Sequence, residues 1–233
     1  HMAALPRVSF SVEHPIETHD VNVNGTLQVL EGAKRNHVKR LVFSSSSSAY
    51  GGTEKKLFSE DNEIKMPISP YALHKLIGEH YCRLYSMYFG LETVSLIYFN
   101  VYGPLFDPSG AYALVIGKFL DQIKKGEPMP VSGDGEYYRD YTHVDDVVRA
   151  NILAMTKESV GKGETINIGN GDPHSVNDLV RMIGGEYVNV DPRPGDARYA
   201  GANNAKAKAL LGWEPTIPLE KGIAMLKSQM GLS

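Results

Sequence analysis

The chain has 233 residues, of which 42% are hydrophobic, so it is long enough to bury a sizeable core in one large domain or in a domain with a smaller lobe. Its formal net charge of -3 arises from 24 basic and 27 acidic residues spread along the chain, so composition predicts neither a nucleic-acid partner nor a membrane-surface partner. No apolar run approaches the length of a membrane span, and the sequence shows no signal peptide.

The cysteine content of the chain indicates the cellular compartment in which the protein works. Cys82 is the only cysteine, which excludes an internal disulfide and a metal site built from several cysteines. We therefore expect a cytoplasmic protein. The histidines lack the spacing of metal-binding motifs, so we expect no metal site. We interpret His1 and Met2 as an expression remnant.

Apolar periodicity predicts helices that alternate with strands. The first half contains a helix from Ile16 to Asn36, the strand KRLVF, a polar loop over 51–70, a helix from Tyr71 to Phe89 and the strand ETVSLIYFNVYG. The second half contains a helix from Tyr112 to Lys125, strands in MPVSGDGE and YYRDYTHV, a helix from Asp145 to Thr156, the strand ETINIGN, a helix from Ser175 to Ile183 capped by Ser175, the strand EYVNV and two short terminal helices. Continuous apolar strands are typical of a parallel sheet covered by helices on both faces, so the predicted fold class is α/β.

The run of serines from Ser44 to Ser48 follows a buried strand, at the end of a parallel sheet where active sites are built. The alternative, a flexible linker, fits poorly between the apolar RLVF and AYGG. Tyr71 and Lys75 are four residues apart, so both side chains lie on one helix face. An ammonium beside a phenol favours the phenolate, which would make Tyr71 a usable base. The competing interpretation is a helix start followed by a surface lysine.

Four segments together, FSSSSSAYG, SPYALHK, LIYFNVYGP and GDGEYYRDYTHVDD, resemble the extended short-chain dehydrogenases/reductases, specifically the nucleotide-sugar epimerases and dehydratases. The resemblance implies that Ser46 and Tyr71 are catalytic, with Tyr71 as the acid/base, and that Lys75 assists Tyr71 and holds the nicotinamide ribose of NAD. Family dehydratases carry acids directly after the catalytic Ser or Thr. Here Ser47 and Ser48 stand there, which favours a 4-epimerase that oxidises the sugar transiently at C4.

The same resemblance, closest to the UDP-hexose 4-epimerases, implies further contacts. The residues expected at the cofactor are Ser45, Tyr71, Lys75, Tyr98 and Phe99. Those expected at a UDP-sugar are Ser46, Asn100, Val131 through its backbone, Arg139, Arg193, Asp196 and Ala200. A small residue at Ala200 leaves room for an N-acetyl group, so UDP-N-acetylhexosamines join UDP-glucose and UDP-galactose as expected substrates. The alternatives to substrate binding are a surface salt bridge for Arg139 and an ordinary turn for the segment RPGD.

The glycine-rich turn with which the family begins is not in the sequence, which contains neither G-x-x-G-x-x-G nor G-x-G-x-x-G. We therefore expect the C-terminal part of a doubly wound, Rossmann-like sheet over 3–105 and 142–170, with a nucleotide-sugar lobe over 106–141 and 171–233. NAD binding by such a chain is in doubt. An incomplete sheet predicts a homo-oligomer that covers the exposed surface.

Three functional alternatives stay open. The first is a UDP-sugar 4-epimerase, the second a catalytically silent nucleotide-sugar-binding or oligomerisation module, and the third another reaction on the same scaffold, such as a 4-keto reductase or a 3,5-epimerase. The helix from Tyr71 to Phe89 carries more apolar surface than one internal face needs, so it fits a subunit interface as well as an internal core. Its apolar residues are Leu76, Ile77, Tyr81, Leu84, Tyr85 and Tyr88.

Overall fold

The computed structural model describes residues 1–52, 56–61, 64–106, 115–192 and 198–232. Its strands are β1 Arg40–Ser46, β2 Glu92–Tyr98, β3 Asn100–Tyr102, β4 Met129–Ser132, β5 Tyr138–Arg139, β6 Tyr141–His143, β7 Lys162–Ile168, β8 His174–Ser175, β9 Tyr187–Val190 and β10 Tyr199–Ala200. Its helices are α1 Val8–Glu13, α2 Pro15–His19, α3 Gly25–Arg35, α4 Pro70–Phe89, α5 Val115–Lys125, α6 Val144–Thr156, α7 Val176–Ile183, α8 Ala205–Leu211 and α9 Leu219–Met230. A π-helical segment, Asp20–Asn24, joins α2 to α3, and a 3-10 turn, Ser47–Tyr50, follows β1.

The main sheet consists of β1, β2 and β7 in that order, all parallel, with Ser46 opposite Tyr98 in register. Successive side chains of a strand point to opposite faces. Ser45 bonds to Glu79 on α4, while Ser44 bonds to Tyr98, which in turn bonds to Asn151 on α6. Helices therefore cover both faces of the sheet, and the predicted α/β class is confirmed. No helix in the described part of the chain is long and apolar enough to cross a membrane.

A second core lies among α5, α7, α9 and the short strands β4 and β6. Its buried residues are Tyr102, Ile116, Phe119, Leu120, Met129, Val131, Tyr141, Leu179, Val180, Ile183, Leu219, Ile223 and Leu226. β4 pairs with β9, and β5 lies between β10 and β8. Most of this core falls within the ranges assigned to a nucleotide-sugar lobe, whose limits stay a prediction.

Local polar contacts divide two segments that the sequence pattern predicts as single strands. β2 ends at Tyr98 and β3 begins at Asn100, with Phe99 donating its N–H to the Ile168 carbonyl oxygen at 3.2 Å. β5 and β6 are divided by Asp140, whose carboxylate accepts from backbone N–H groups of Asn170, Gly171 and Ala202. The first division leads the chain from the main sheet to the pair β3–β6, and the second leads it from the sheet β10–β5–β8 to that same pair.

The predicted helix from Ile16 to Asn36 forms, with the π-helical segment inside it. Asn22 lies in that segment and is buried. It exchanges hydrogen bonds with the backbone of Leu5, at 2.7 Å to the N–H and 3.0 Å to the carbonyl oxygen. Side-chain bonding of this kind is a common cause of local change in helical winding.

His1, which the sequence suggests is part of an expression remnant, contacts the main sheet. The His1 amino group donates to the Val42 carbonyl oxygen at 2.7 Å, and Ser44 N–H donates to the His1 carbonyl oxygen at 3.1 Å. The His1 ring packs on Phe43, with centroids 5.7 Å apart. His1 thus pairs with the outer edge of β1. Composition of a dipeptide could not show this pairing.

Candidate active site

The five serines form a strand end and a turn. Ser44 and Ser45 continue β1, and Ser46 begins the 3-10 turn, where its hydroxyl oxygen accepts from the Ser48 N–H at 3.3 Å and from the Ser48 hydroxyl at 2.9 Å. A linker is excluded, because Ser44 and Ser45 are buried in the sheet.

Helix α4 delivers Tyr71 and Lys75 to this strand end. Ser69 caps the helix by accepting from the Ala72 N–H at 3.2 Å, and Pro70 occupies the first turn. The Tyr71 N–H donates to the Ser11 hydroxyl at 3.0 Å, which fixes the helix start against α1. Lys75 Nζ donates to the Ser44 carbonyl oxygen at 2.7 Å and lies 5.8 Å from the centre of the Tyr71 ring. Both side chains are buried, with Tyr71 9% and Lys75 6% exposed.

Burial dominates the electrostatics of the pair. Desolvation raises the pKa of Tyr71, while a hydrogen bond with the Ser46 side chain acts in the opposite direction. Desolvation lowers the pKa of Lys75 to about 8, and the charge of Glu79 opposes that shift. The expected net lowering of the Tyr71 pKa by Lys75 is not found. Instead, the Lys75 ammonium donates a hydrogen bond to the Ser44 carbonyl oxygen and lies near the buried Tyr71 ring.

The expected cofactor residues are placed around this cluster in different ways. Tyr98 accepts from the Ser44 hydroxyl at 3.3 Å and donates to Asn151 at 2.9 Å. Ser45 turns its hydroxyl to Glu79. Phe99 is buried in an aromatic cluster with Tyr50, Phe58, Ile97 and Ala202. Ser45 and Phe99 therefore contact buried residues of the protein, Glu79 in the case of Ser45 and the aromatic cluster in the case of Phe99.

The expected substrate residues lie on short strands beyond the catalytic cluster. Arg139 on β5 is in register with Ala200 on β10, and its guanidinium donates to the Tyr138 carbonyl oxygen at 2.9 Å. Ala200 packs against the aromatic cluster that contains Phe99. Val131 is fully buried on β4, opposite Asn189 of β9. Asn100 begins β3 and is half-buried. Arg193 and Asp196 lie outside the described residues.

Two buried acids escaped the sequence reasoning. Glu79, 4% exposed, bonds to the Ser45 hydroxyl and forms an ion pair with Lys65. Its position four residues after Lys75, on the same helix face, is a signal that could have revealed it. Asp140, beside Arg139, is fully buried and joins three backbone segments. No sequence pattern predicts that Asp140 binds these backbone N–H groups.

The residues present fit one end of the NAD implied by the sequence resemblance. Within the described ranges, Lys75 uses one of its three donors, on Ser44, and the Tyr71 phenol lies beside Ser46. Such groups can bond to ribose hydroxyls. The sequence offers no glycine-rich turn for the pyrophosphate. Among the described residues, no group of three or more His, Cys, Asp or Glu side chains could hold a metal.

Comparison with known proteins identifies related enzymes. The chain is 37% identical to the UDP-glucuronate 4-epimerase of Thermodesulfobacterium geofontis, over 96% of this chain and 69% of that relative. The crystal structure of UDP-glucose 4-epimerase from Thermotoga maritima with UDP-glucose is 40% identical, with a TM-score of 0.91 over 99% of this chain and 77% of that one. The UDP-N-acetylglucosamine 4-epimerase of Methanobrevibacter ruminantium M1 is 32% identical, with a TM-score of 0.90 over 99% and 76%.

All three relatives are named as 4-epimerases, and their names specify three different UDP-sugars. The model of the NAD dependent epimerase/dehydratase family matches residues 1–169, which span β1, α4 and β2 with the serine, tyrosine and lysine described above. The chain belongs to the NAD dependent epimerase/dehydratase family, among the UDP-sugar 4-epimerases.

Proposed function

We propose that this chain carries the catalytic site of a UDP-sugar 4-epimerase in which Ser46, Tyr71 and Lys75 act on the C4 hydroxyl of the sugar. The observation that carries the proposal is their meeting at the carboxyl end of β1, where Lys75 Nζ donates to the Ser44 carbonyl oxygen, two residues before Ser46, and lies 5.8 Å from the centre of the Tyr71 ring. This edge is where open parallel sheets bind ligands.

Each of the three residues has a distinct task. Tyr71 takes the proton from the C4 hydroxyl and later returns it. Burial raises its pKa, and the Lys75 ammonium, 5.8 Å from the centre of the ring, is the group proposed to stabilise the phenolate. Ser46 donates a hydrogen bond to the C4 oxygen and holds it while the carbon is oxidised and reduced. NAD, when bound, would supply the acceptor and donor of the hydride at C4. Ser45, Lys75, Tyr98 and Phe99 are the residues proposed to surround its nicotinamide end.

Elimination chemistry is less well supported. Ser47 and Ser48 follow Ser46 in the 3-10 turn, and Ser48 bonds to Ser46. Neither hydroxyl can replace the acid and base that water loss from the sugar requires. A 4-epimerase needs no such pair.

The UDP moiety is proposed to bind along β5, β10 and β4. Arg139 supplies a guanidinium, whose fork of N–H donors suits phosphate oxygens. The backbone of Val131 and the side chain of Asn100 are further contacts, and Arg193 and Asp196 complete the proposed set. Ala200, in register with Arg139, leaves space for the sugar's C2 substituent, so we include UDP-N-acetylhexosamines among the substrates.

We also propose that two copies of the chain associate through α3 and α4. The apolar side chains Leu73, Leu84, Met87 and Tyr88 on α4 are exposed, as are Val21 before α3 and Val29 on it. Leu73, Leu84 and Tyr88 repeat at helical spacing and so lie along one side of α4. Tyr85 packs in the internal core instead, so the proposed interface would use only the exposed residues of this helix.

Titration calorimetry with UDP and with NAD, together with an assay that converts UDP-galactose to UDP-glucose, tests the proposed function. Binding of both ligands with turnover supports a 4-epimerase. Binding of UDP without NAD and without turnover supports a silent nucleotide-sugar module. Binding of neither ligand overturns both.

A further inference from the structure

Glu79 is the third member of a series on one face of α4. Tyr71, Lys75 and Glu79 follow each other at intervals of four residues, and all three are buried. A carboxylate at such depth needs partners, since an unpaired buried charge is very costly. Glu79 has two in the described structure, the Ser45 hydroxyl and the Lys65 ammonium.

The Ser45 contact lies at the centre of the catalytic strand end. Ser44, one residue earlier, accepts from Lys75, and Ser46, one residue later, ends β1. Glu79 thus holds the residue between the Lys75 contact and the serine proposed to act at C4. A shift of Ser45 would move both neighbouring serines.

We propose that Glu79 is a positioning residue for the active site, which fixes the Ser44 to Ser46 backbone through Ser45 and keeps the buried Lys75 ammonium charged. Lys65 serves as the counterion that lets the carboxylate remain ionised. Its Nζ lies over the Tyr50 ring, 5.1 Å from the ring centre, and this cation–π contact helps to hold the ammonium in place. This inference rests on the proposed function for its catalytic meaning, but its physical claim concerns the charge of Lys75.

Titratable groups from several elements surround Lys75 and Glu79. Tyr71 and Cys82 lie on the same helix, α4. Lys65 lies in the segment before α4, Tyr50 lies in the 3-10 turn, and the amino group of His1 lies at the edge of β1. Among the charged groups described around Lys75, Glu79 is the one whose charge favours the ammonium.

The test follows the titration of Lys75 by NMR, using isotopically labelled lysine and the Lys75→Arg variant to assign the signal. In Glu79→Gln, the Lys75 titration should move downward by roughly one pH unit, the size of shift that a close opposite charge produces. Glu79→Asp keeps the charge and should restore most of the wild-type value. The control Glu31→Gln removes a carboxylate that bonds to Lys34 and Tyr85, away from Lys75, and should leave the titration unchanged.

An unchanged Lys75 titration in a folded Glu79→Gln variant would overturn the proposal, as would an equal shift in Glu31→Gln. Loss of a buried ion-pair partner can unfold a protein, so a second measurement uses the wild-type chain. The Glu79 side-chain carbon should show the chemical shift of a carboxylate at neutral pH, and the shift of a protonated acid would overturn the proposal. Neither NMR measurement requires catalytic turnover. The inference about Glu79 can therefore be tested even if the epimerase assay fails.

Discussion

Phe43 on β1 occupies the place that a methyl group on Gly78 would need, because a Cβ built there would lie 2.4 Å from the ring's Cζ. Helix α4 can approach the sheet closely enough for Lys75 to reach Ser44 only because this position lacks a side chain. Gly78→Ala should therefore push α4 from β1, with a loss of roughly 1–3 kcal/mol in the free energy of unfolding.

Gly32→Ala provides the matched control for that prediction. Gly32 lies within α3, and a Cβ there would meet no atom within 4 Å. Alanine is the better helix former, so this variant should gain about 0.5–1 kcal/mol. Denaturant unfolding measures both variants. Equal changes of the same sign would contradict a packing role for Gly78.

Tyr71→Phe should abolish epimerisation while leaving the fold and UDP binding intact, because only the hydroxyl that exchanges the proton is lost. The loss should reach at least 100-fold in kcat, the usual size for removal of an acid/base group, about 10²–10⁴. Tyr81→Phe makes the same chemical change on α4, at a half-buried ring packed against Cys82 and its neighbours, and should retain activity. Activity in Tyr71→Phe near the wild-type level would rule out the proposed acid/base.

Lys75 is predicted to destabilise the fold at neutral pH. Its folded pKa of about 8 lies below the usual 10.5, so the folded state disfavours the ammonium by about 3 kcal/mol at pH values below 8. The cost declines as pH rises from 8 toward 10.5, where the unfolded chain also loses the proton. Lys75→Met removes this cost but also the hydrogen bond to Ser44, worth about 1 kcal/mol.

We therefore expect Lys75→Met to unfold at a higher temperature than the wild type at pH 7, with a smaller difference at pH 9.5. Thermal unfolding at the two pH values measures the effect. Lys118→Met, at an exposed site on α5, should show no pH-dependent difference. A lower melting temperature for Lys75→Met at pH 7 would show that the ammonium stabilises the fold.

Sequence patterns predicted the α/β class, a site at the serine run and the shared helix face of Tyr71 and Lys75, because strand ends and helix spacing are local properties. Ser46 itself was singled out by the resemblance to a family. Sequence patterns could not predict contacts that depend on distant segments. The Lys65–Glu79 pair joins a polar loop to α4, and Asp140 binds the backbone around residues 170 and 202. The net rise in the Tyr71 pKa likewise depends on burial, which spacing alone does not reveal.

Association through α3 and α4 predicts that Leu84→Glu yields a monomer. Leu84 is exposed beside Tyr88 and Met87, and a carboxylate there would be desolvated in a helix-to-helix interface. Light scattering at micromolar concentration measures the change. Leu105→Glu, at a fully exposed leucine away from these helices, is the control and should keep the wild-type mass. A wild-type chain that is already monomeric would contradict the proposed assembly.

Ala200→Tyr should narrow the range of sugars. Ala200 is half-buried on β10, in register with Arg139 and packed against the aromatic cluster of Tyr50 and Phe58. A tyrosine ring would fill the space proposed for an N-acetyl group, so turnover of UDP-N-acetylglucosamine should fall at least tenfold relative to that of UDP-galactose. That ratio corresponds to about 1.4 kcal/mol of discrimination, within the range of one steric contact in a pocket. Ala209→Tyr adds the same ring on exposed α8 and should leave the ratio unchanged. A wild-type chain that turns over UDP-galactose but not UDP-N-acetylglucosamine would instead show that a small residue at this position does not open the pocket.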